Sequence, residues 1–430
     1  MSTRREFLRL AGVSVAIGIG PGISFAQRRR QADTVQTLPP SIAGLQSLRN
    51  QALPITNDER RQRIERAREL MAANRLDAIF VSWGTSLVYF TGIQWGGGER
   101  LFAMVLPQKG APFFVCPAFE EDRGREQIER GPFGKNPDVR TWQEDESPYE
   151  RVAQGLSDRG IASGTLGVEE TTKYVFSEGV SKAAPQVKIT SATPVTAGCR
   201  MIKSDHEIAL MQLANKVTLA AYEAAYKALH DGMTQNEFSD LVTAAHSKLG
   251  FSGGASVQVG PYSALPHGSI APQLVRPGTI LLIDGGCSVE GYDSDISRTF
   301  VLGTPTDKMK RVFDIVHKAQ STALAAAKPG VEAQAVDAAA RNVVTDAGYG
   351  PNYNHFTHRV GHGIGMDGHE WPYLVRGNTL KLASNMTFSD EPGIYIRGEF
   401  GVRLEDDMHI TENGAELFTP QSSSLEHPFG

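Results

Sequence analysis

The sequence is poor in cysteine. Three residues in 430, Cys116, Cys199 and Cys287, close at most one disulfide, which excludes a disulfide-built scaffold. A charge surplus is also missing. With 43 basic and 48 acidic side chains the formal charge is −5, so there is no electrostatic case for binding nucleic acid or an anionic membrane. Long apolar runs are absent as well: the stretch from Leu10 to Ile23 carries four glycines and a proline and is too short for a convincing membrane span.

That weak run follows Thr3-Arg4-Arg5-Glu6-Phe7-Leu8-Arg9 and ends at Ser24-Phe25-Ala26, the layout of a twin-arginine export signal. Residues 1–26 are therefore expected to direct export, and the mature protein is expected in the periplasm or outside the cell with no membrane span. Such proteins cross the membrane already folded, which suits a chain that needs no oxidative folding.

The length exceeds what one core usually fills, so two folded domains are expected. Residues 27–56, rich in Arg, Gln, Pro and Ser, read as a linker or mobile arm. From Asp58 to Asn74 the pattern is helical and charged, and residues 77–82 follow as a buried strand. Further short apolar runs at Leu87–Phe90, Leu101–Leu106 and Pro112–Val115 predict a small α/β domain over 57–197. No catalytic constellation is visible inside it.

The remainder, 198–430, contains an internal repeat. Gly232 precedes Gly250-Phe251 by eighteen residues, and Gly330 precedes Gly348-Tyr349 by the same interval. An Ala-rich helical stretch comes before each copy, Asp205–Leu229 and Lys308–Ala327, and strands follow. The architecture expected is a duplicated ααββ unit of α+β class, with its two sheets joined.

Each copy leads into a hairpin with acids on both arms. The first holds Asp284 and, eleven residues on, Asp295; the second holds Glu391 and, fourteen on, Glu405. Pseudo-twofold symmetry would bring these four carboxylates together. At about 4 Å and an effective dielectric of about 20, each pair repels by about 4 kcal/mol and six pairs by roughly 25 kcal/mol. That exceeds a domain's whole stability, so protons or cations must fill the centre. His358, His362 and His369, spaced by four and seven residues among glycines, favour cations. A mostly oxygen site with one nitrogen suits manganese, with cobalt, iron and zinc as competitors. Two such ions would lower the pKa of a shared water toward neutrality.

With these residues the sequence resembles the creatinase/prolidase metallopeptidases, the pita-bread fold that includes aminopeptidase P and prolidase, over roughly residues 57–425. The resemblance implies a smaller creatinase-like N-terminal domain and a pita-bread catalytic domain. It implies that Asp284 binds one divalent ion, that His362 and Glu391 bind the other, and that Asp295 and Glu405 bridge them. Glu391 would shuttle protons, while His267, His358 and His369 would hold substrate, stabilise the oxyanion and assist the leaving nitrogen. Implied in the same way are a small peptide substrate cut before proline, by an Xaa-Pro aminopeptidase or dipeptidase, and a homodimer or homotetramer. Arg376 is a candidate clamp for a substrate carboxylate and Arg403 for substrate binding. The segment Ser86–Gly92 also resembles the family's non-catalytic domain, which commonly joins oligomer contacts and borders the neighbouring active site, with Trp95 and Arg100 beyond it as candidates to reach a substrate. Asn385 stands where relatives usually have glycine, and asparagine tolerates the same left-handed backbone. The fourteen-residue interval from Glu391 to Glu405 is short for aminopeptidase P and prolidase. Two rival readings remain open here: a same-fold hydrolase or lyase of a small non-peptide or cyclic metabolite, and a non-catalytic binding protein.

Overall fold

The structure is a computed structural model that describes residues 38–429. The expected export signal and residues 27–37 of the expected linker lie outside the described residues. From Pro40 onward the chain forms one compact unit. Here the linker reading fails for residues 40–56. Ile42 and Ile55, too far apart to make a sequence period, are both buried; Ser41 Oγ donates to Ala224 O at 2.8 Å and Leu48 N to Leu249 O at 2.9 Å.

In the N-terminal half, β1 (Ala78–Ser82), β2 (Ala103–Pro107), β3 (Phe113–Pro117), β4 (Val139–Trp142), β5 (Gly164–Val168) and β6 (Val187–Ser191) form one mixed sheet, ordered β4-β3-β2-β1-β5-β6. All of β1, β2 and β3 is buried, because helices cover both faces. The period of two along β1 sorts its side chains. Ile79 and Val81 pack with Ile64, Ala67 and Met71 of the helix Asn57–Asn74, while Ala78 and Phe80 pack with Val152 and Leu156 of Pro148–Ser157. That first helix starts where the sequence signals it, at a capping box between Thr56 and Glu59. Leu87–Phe90 lies in a short helix, Thr85–Thr91. The expected boundary at 197/198 falls inside the helix Thr193–Arg200, and the next helix, Asp205–Tyr226, starts at a second capping box between Ser204 and Glu207.

The C-terminal half repeats one plan. Helices Asp205–Tyr226 and Gln235–Leu249 lead to β7 (Ser252–Val259), β8 (Ile280–Val289), β9 (Tyr292–Asp293) and β10 (Ile296–Val301). Helices Asp307–Ala326 and Ala333–Val344 lead to β11 (Gly361–Gly363), β12 (Glu370–Leu374), β13 (Thr387–Asp390), β14 (Gly393–Ile396), β15 (Phe400–Arg403), β16 (Asp406–Ile410) and β17 (Ala415–Leu417). The glycines that mark the repeat, Gly232, Gly250, Gly330 and Gly348, have φ of 81°, 96°, 84° and 88°. The matching spacing thus reflects one turn geometry used twice. Asn385 adopts φ 67°, as expected of an asparagine in a glycine's place.

The two sheets, β10-β8-β7 and β12-β11-β13-β16-β17, meet at a narrow seam. Glu405 N donates to Ser297 O at 3.2 Å, and Thr299 Oγ1 donates to Arg403 O at 2.8 Å. Arg298 holds the seam from behind: fully buried, it donates to Glu405 O at 2.8 Å and to Asp406 Oδ1 at 2.6 Å. Among the described residues no helix is long and apolar enough to cross a membrane.

Removing one member of a buried ion pair leaves the other charge without compensation. Arg298→Met is therefore expected to lower unfolding stability by about 3–5 kcal/mol in urea titrations. An unchanged midpoint would show that this pair does not join the two sheets.

Candidate metal centre

The four acids sit at the edges and breaks of the ladders. In the first hairpin Asp284 lies in β8 opposite Ser297, and Asp295 falls in the break between β9 and β10. In the second, β13 pairs with β16 up to Asp390↔Asp406, and pairing resumes between β14 and β15 at Gly393↔Arg403. Pro392, which has no N–H to give a ladder, occupies that break beside Glu391, and its carbonyl accepts from Leu404 N at 3.4 Å, next to Glu405. His362 is central in β11, beside β13. Its strand comes that close because Gly361 has no side chain: a Cβ there would lie 2.0 Å from Ser389 O.

All five expected ligands converge. Asp284, Asp295 and Glu405 form one set of donors; His362, Glu391 and Glu405 form a second; Asp295, His362 and His369 form a third, each set within 4.8 Å. Among the described residues these are the groups of three or more such donors close enough to share an ion. His362 Nε2 is 3.5 Å from Glu391 Oε1 and 3.9 Å from Asp295 Oδ2. Its Nδ1 faces Gly363 O at 3.1 Å, which assigns the ring proton to Nδ1 and leaves the Nε2 lone pair toward the acids. Ser297 ties the hairpins together, its hydroxyl oxygen lying 2.9 Å from Asp284 Oδ1 and 2.5 Å from Glu405 Oε2 with one proton to serve the two. Asp407 Oδ2 accepts from Asp295 N at 2.9 Å and from Asn215 Nδ2 at 2.9 Å.

Burial and mutual repulsion set the protonation. Burial, then the Asp284 charge, pushes Glu405 up to about 7; burial, then the Glu405 charge, pushes Asp295 and Glu391 well above the usual carboxylate range. Burial lowers His362 and His358 to about 3, so both rings are neutral. A neutral imidazole among carboxylates that resist ionisation fits a divalent cation, which relieves the repulsion and takes the free nitrogen.

The acids open into a cavity of about 510 Å3, which His267, His358 and His369 also line. His369 stacks on His362 with ring centres 3.6 Å apart. His358 faces Arg359 O through Nδ1 at 2.8 Å and Tyr395 OH through Nε2 at 2.8 Å, and its Nδ1 is 3.7 Å from Glu391 Oε2. His267 is on the exposed rim.

Two expectations need correction. Arg376 is not in the cavity: the turn after β12 carries it to the surface, where it meets Asn352 Oδ1 at 3.2 Å. Arg403 does line the cavity, but its guanidinium is committed to its own chain, at 2.6 Å from Asp284 Oδ2, 2.8 Å from Ser297 Oγ and 3.1 Å from Tyr395 OH. That pose makes it a support for Asp284 and Tyr395. Within this chain Trp95 stacks on Phe102 and Arg100 pairs with Glu144, both away from its own acid cluster.

Other contributors escaped the sequence reading. Ser297 stands opposite Asp284 in the β8–β10 ladder, and Ser389 Oγ lies 3.4 Å from Oε1 of Glu391, two residues on. Tyr395 carried no local sign. Arg359 did, standing between His358 and His362; it lines the cavity and lies 4.1 Å over the Tyr373 ring. Among the described residues it has no acid partner within 4 Å.

Residues 209–412 match metallopeptidase family M24, and residues 63–202 match the creatinase/prolidase N-terminal domain. An Xaa-Pro dipeptidase of Lactobacillus delbrueckii subsp. lactis is 32% identical over 372 residues, which span 84% of this chain and 98% of that protein. The crystal structure of dipeptidase PepE from Mycobacterium ulcerans is similar with a TM-score of 0.81 and 32% identity, covering 87% of this chain and 99% of that one. An Xaa-Pro dipeptidase from Bacillus anthracis follows with a TM-score of 0.74 and 29% identity, covering 85% and 99%.

The raised carboxyl pKa values give the metal-free protein a definite pH dependence. Between the ordinary Glu value of 4.5 and the value of about 7 for Glu405, the folded state holds a proton that the unfolded chain has released, so stability falls as pH rises. Calorimetry in chelator is expected to show a lower unfolding midpoint at about pH 7.5 than at about pH 5, and excess divalent cation is expected to cancel that fall. Parallel profiles with and without metal would contradict this assignment of the cluster.

Proposed function

Because the chain belongs to metallopeptidase family M24 with a creatinase/prolidase N-terminal domain, we propose that it is an Xaa-Pro dipeptidase, hydrolysing the bond before a C-terminal proline. The observation that carries this reading is the interlocked donor set in a cavity that also holds Arg359.

Asp284 would hold one divalent ion, His362 and Glu391 a second, and Asp295 and Glu405 would serve both. The oxygen-rich set favours manganese. Such ions supply the positive charge that lets water attack near neutral pH and that polarises the scissile carbonyl. On this reading Glu391 carries the proton from the attacking water toward the prolyl nitrogen, a task that typically contributes roughly 10²–10⁴-fold. His358 is held at both ring nitrogens, so its orientation is set before substrate arrives. Tyr395 accepts from Arg403 and donates to His358 Nε2, which links that ring to the support of Asp284. The exposed His267 and His369 border the substrate.

The preference for a dipeptide rests on Arg359. A dipeptide places its terminal carboxylate one residue beyond the scissile bond, and a guanidinium without an acid partner, steadied by Tyr373, suits it. A longer peptide has an amide there. Export is proposed from Arg4-Arg5 and the run behind them alone.

With manganese, the protein is expected to release the first residue from Xaa-Pro dipeptides far faster than from Xaa-Pro-Yaa, and chelation is expected to stop the reaction. Arg359→Gln is expected to raise KM for the dipeptide by about 10–100-fold and leave a C-terminally amidated substrate nearly unchanged. Preferred cleavage of the longer peptide would point to an aminopeptidase. Consumption of a cyclic or non-peptide metabolite with no peptide cut would overturn the substrate class.

A further inference from the structure

A separate cavity of about 320 Å3 lies where the segment before the first long helix, that helix, and the β8–β9 turn come together. Its lining holds three arginines, Arg49, Arg60 and Arg63, and one acid, Glu290. Two of the arginines have acid partners. Arg49 meets Glu290 at 3.6 Å, and the buried Arg63 meets Glu207 at 3.1 Å while donating to Tyr292 OH at 2.6 Å and Tyr89 O at 2.9 Å. Arg60 has none. Its guanidinium finds one acceptor among the described residues, the neutral Asn57 Oδ1 at 3.2 Å, and its Nε is buried with no partner. Glu59, next to it in sequence, is engaged by Thr56 and His206.

Arg60 is nevertheless held in one pose. It lies flat over Gly92, whose φ is +77° and where a Cβ would come within 2.9 Å of Arg60 Cζ and 3.0 Å of Nε and Nη2. The glycine ending the Tyr89–Gly92 segment, which the metal centre does not use, thus seats a guanidinium. A fixed arginine beside a like charge, with a buried donor unsatisfied, is a costly arrangement for the chain alone. Burial and the Arg63 charge lower the Arg60 pKa accordingly. An anion in the cavity would offset the like charges of Arg60 and Arg63.

We propose that this cavity binds a compact tetrahedral oxyanion of the phosphate or sulfate kind, gripped by Arg60 with Arg63 and Arg49 beside it. Guanidinium forks match such oxygens in pairs. Arg60 and Gly92 come from the N-terminal half, Glu290 and Tyr292 from the catalytic half, so the bound oxyanion fastens the two halves together without touching the metal centre.

Calorimetric titration of sulfate, inorganic phosphate and acetate into the metal-loaded wild type and Arg60→Gln, at constant ionic strength, tests this. One saturable site is expected for sulfate and phosphate in the wild type, weakened at least about tenfold in Arg60→Gln, with kcat on an Xaa-Pro dipeptide equal in the two proteins. Thermal midpoints are expected to cross: without oxyanion the variant melts no lower than wild type, and in saturating sulfate the wild type melts higher. Binding that survives unchanged in Arg60→Gln would overturn the proposal, since it lies elsewhere, as at the metal centre. Equal shifts in both proteins, an ionic-strength effect, would overturn it too, and acetate binding as tightly as sulfate would overturn the tetrahedral class.

Discussion

Four carboxylates facing one another in a buried cavity are the constraint from which the catalytic half can be understood. Asp284 and Asp295 arrive from one hairpin, Glu391 and Glu405 from the other, and among the described residues one arginine pairs with them directly, Arg403. One guanidinium offsets one charge of four. The rest is carried either by protons, hence the raised carboxyl pKa values, or by divalent cations, which the neutral Nε2 of His362 favours.

Much of the surrounding structure keeps those acids close despite their repulsion. Ser297 reaches both Asp284 and Glu405, so a single hydroxyl spans the two repeats. Arg298, on the other face of the same strand, grips the backbone of Glu405 and the carboxylate of Asp406 where water does not reach. The N-terminal half takes part through Arg200 and Lys203, at and just beyond its last helix, which both pair with Glu370. Glu370 is the neighbour of His369, and Thr85 adds a hydrogen bond to Asp367 at 2.5 Å in the same loop. The position of the exposed histidine thus depends on residues that no catalytic motif contains.

How much of this the sequence disclosed follows from the range of the forces involved. Local signals were readable: Thr56 and Glu59 cap the first long helix, the four repeat glycines share one turn geometry, and the five ligands fall at corresponding points of two hairpins. Interactions across the fold were not. Arg376 and Arg403 are both arginines near the motifs, yet one turn sends Arg376 to solvent while the seam draws Arg403 against Asp284. Residues 40–56 looked like a linker because Ile42 and Ile55 make no period, and only the burial of both and the bonds of Ser41 and Leu48 to the catalytic half reveal the packing. Arg359 lay inside the histidine motif, but its lack of an acid partner is a fact of three dimensions.

The account stands on the acid cluster holding cations, and metal content measures that directly. Purified wild type dialysed against manganese and then against metal-free buffer should retain about two ions per chain by elemental analysis, and Asp295→Ala about one or fewer. Equal retention by the two proteins, or none by either, would contradict it.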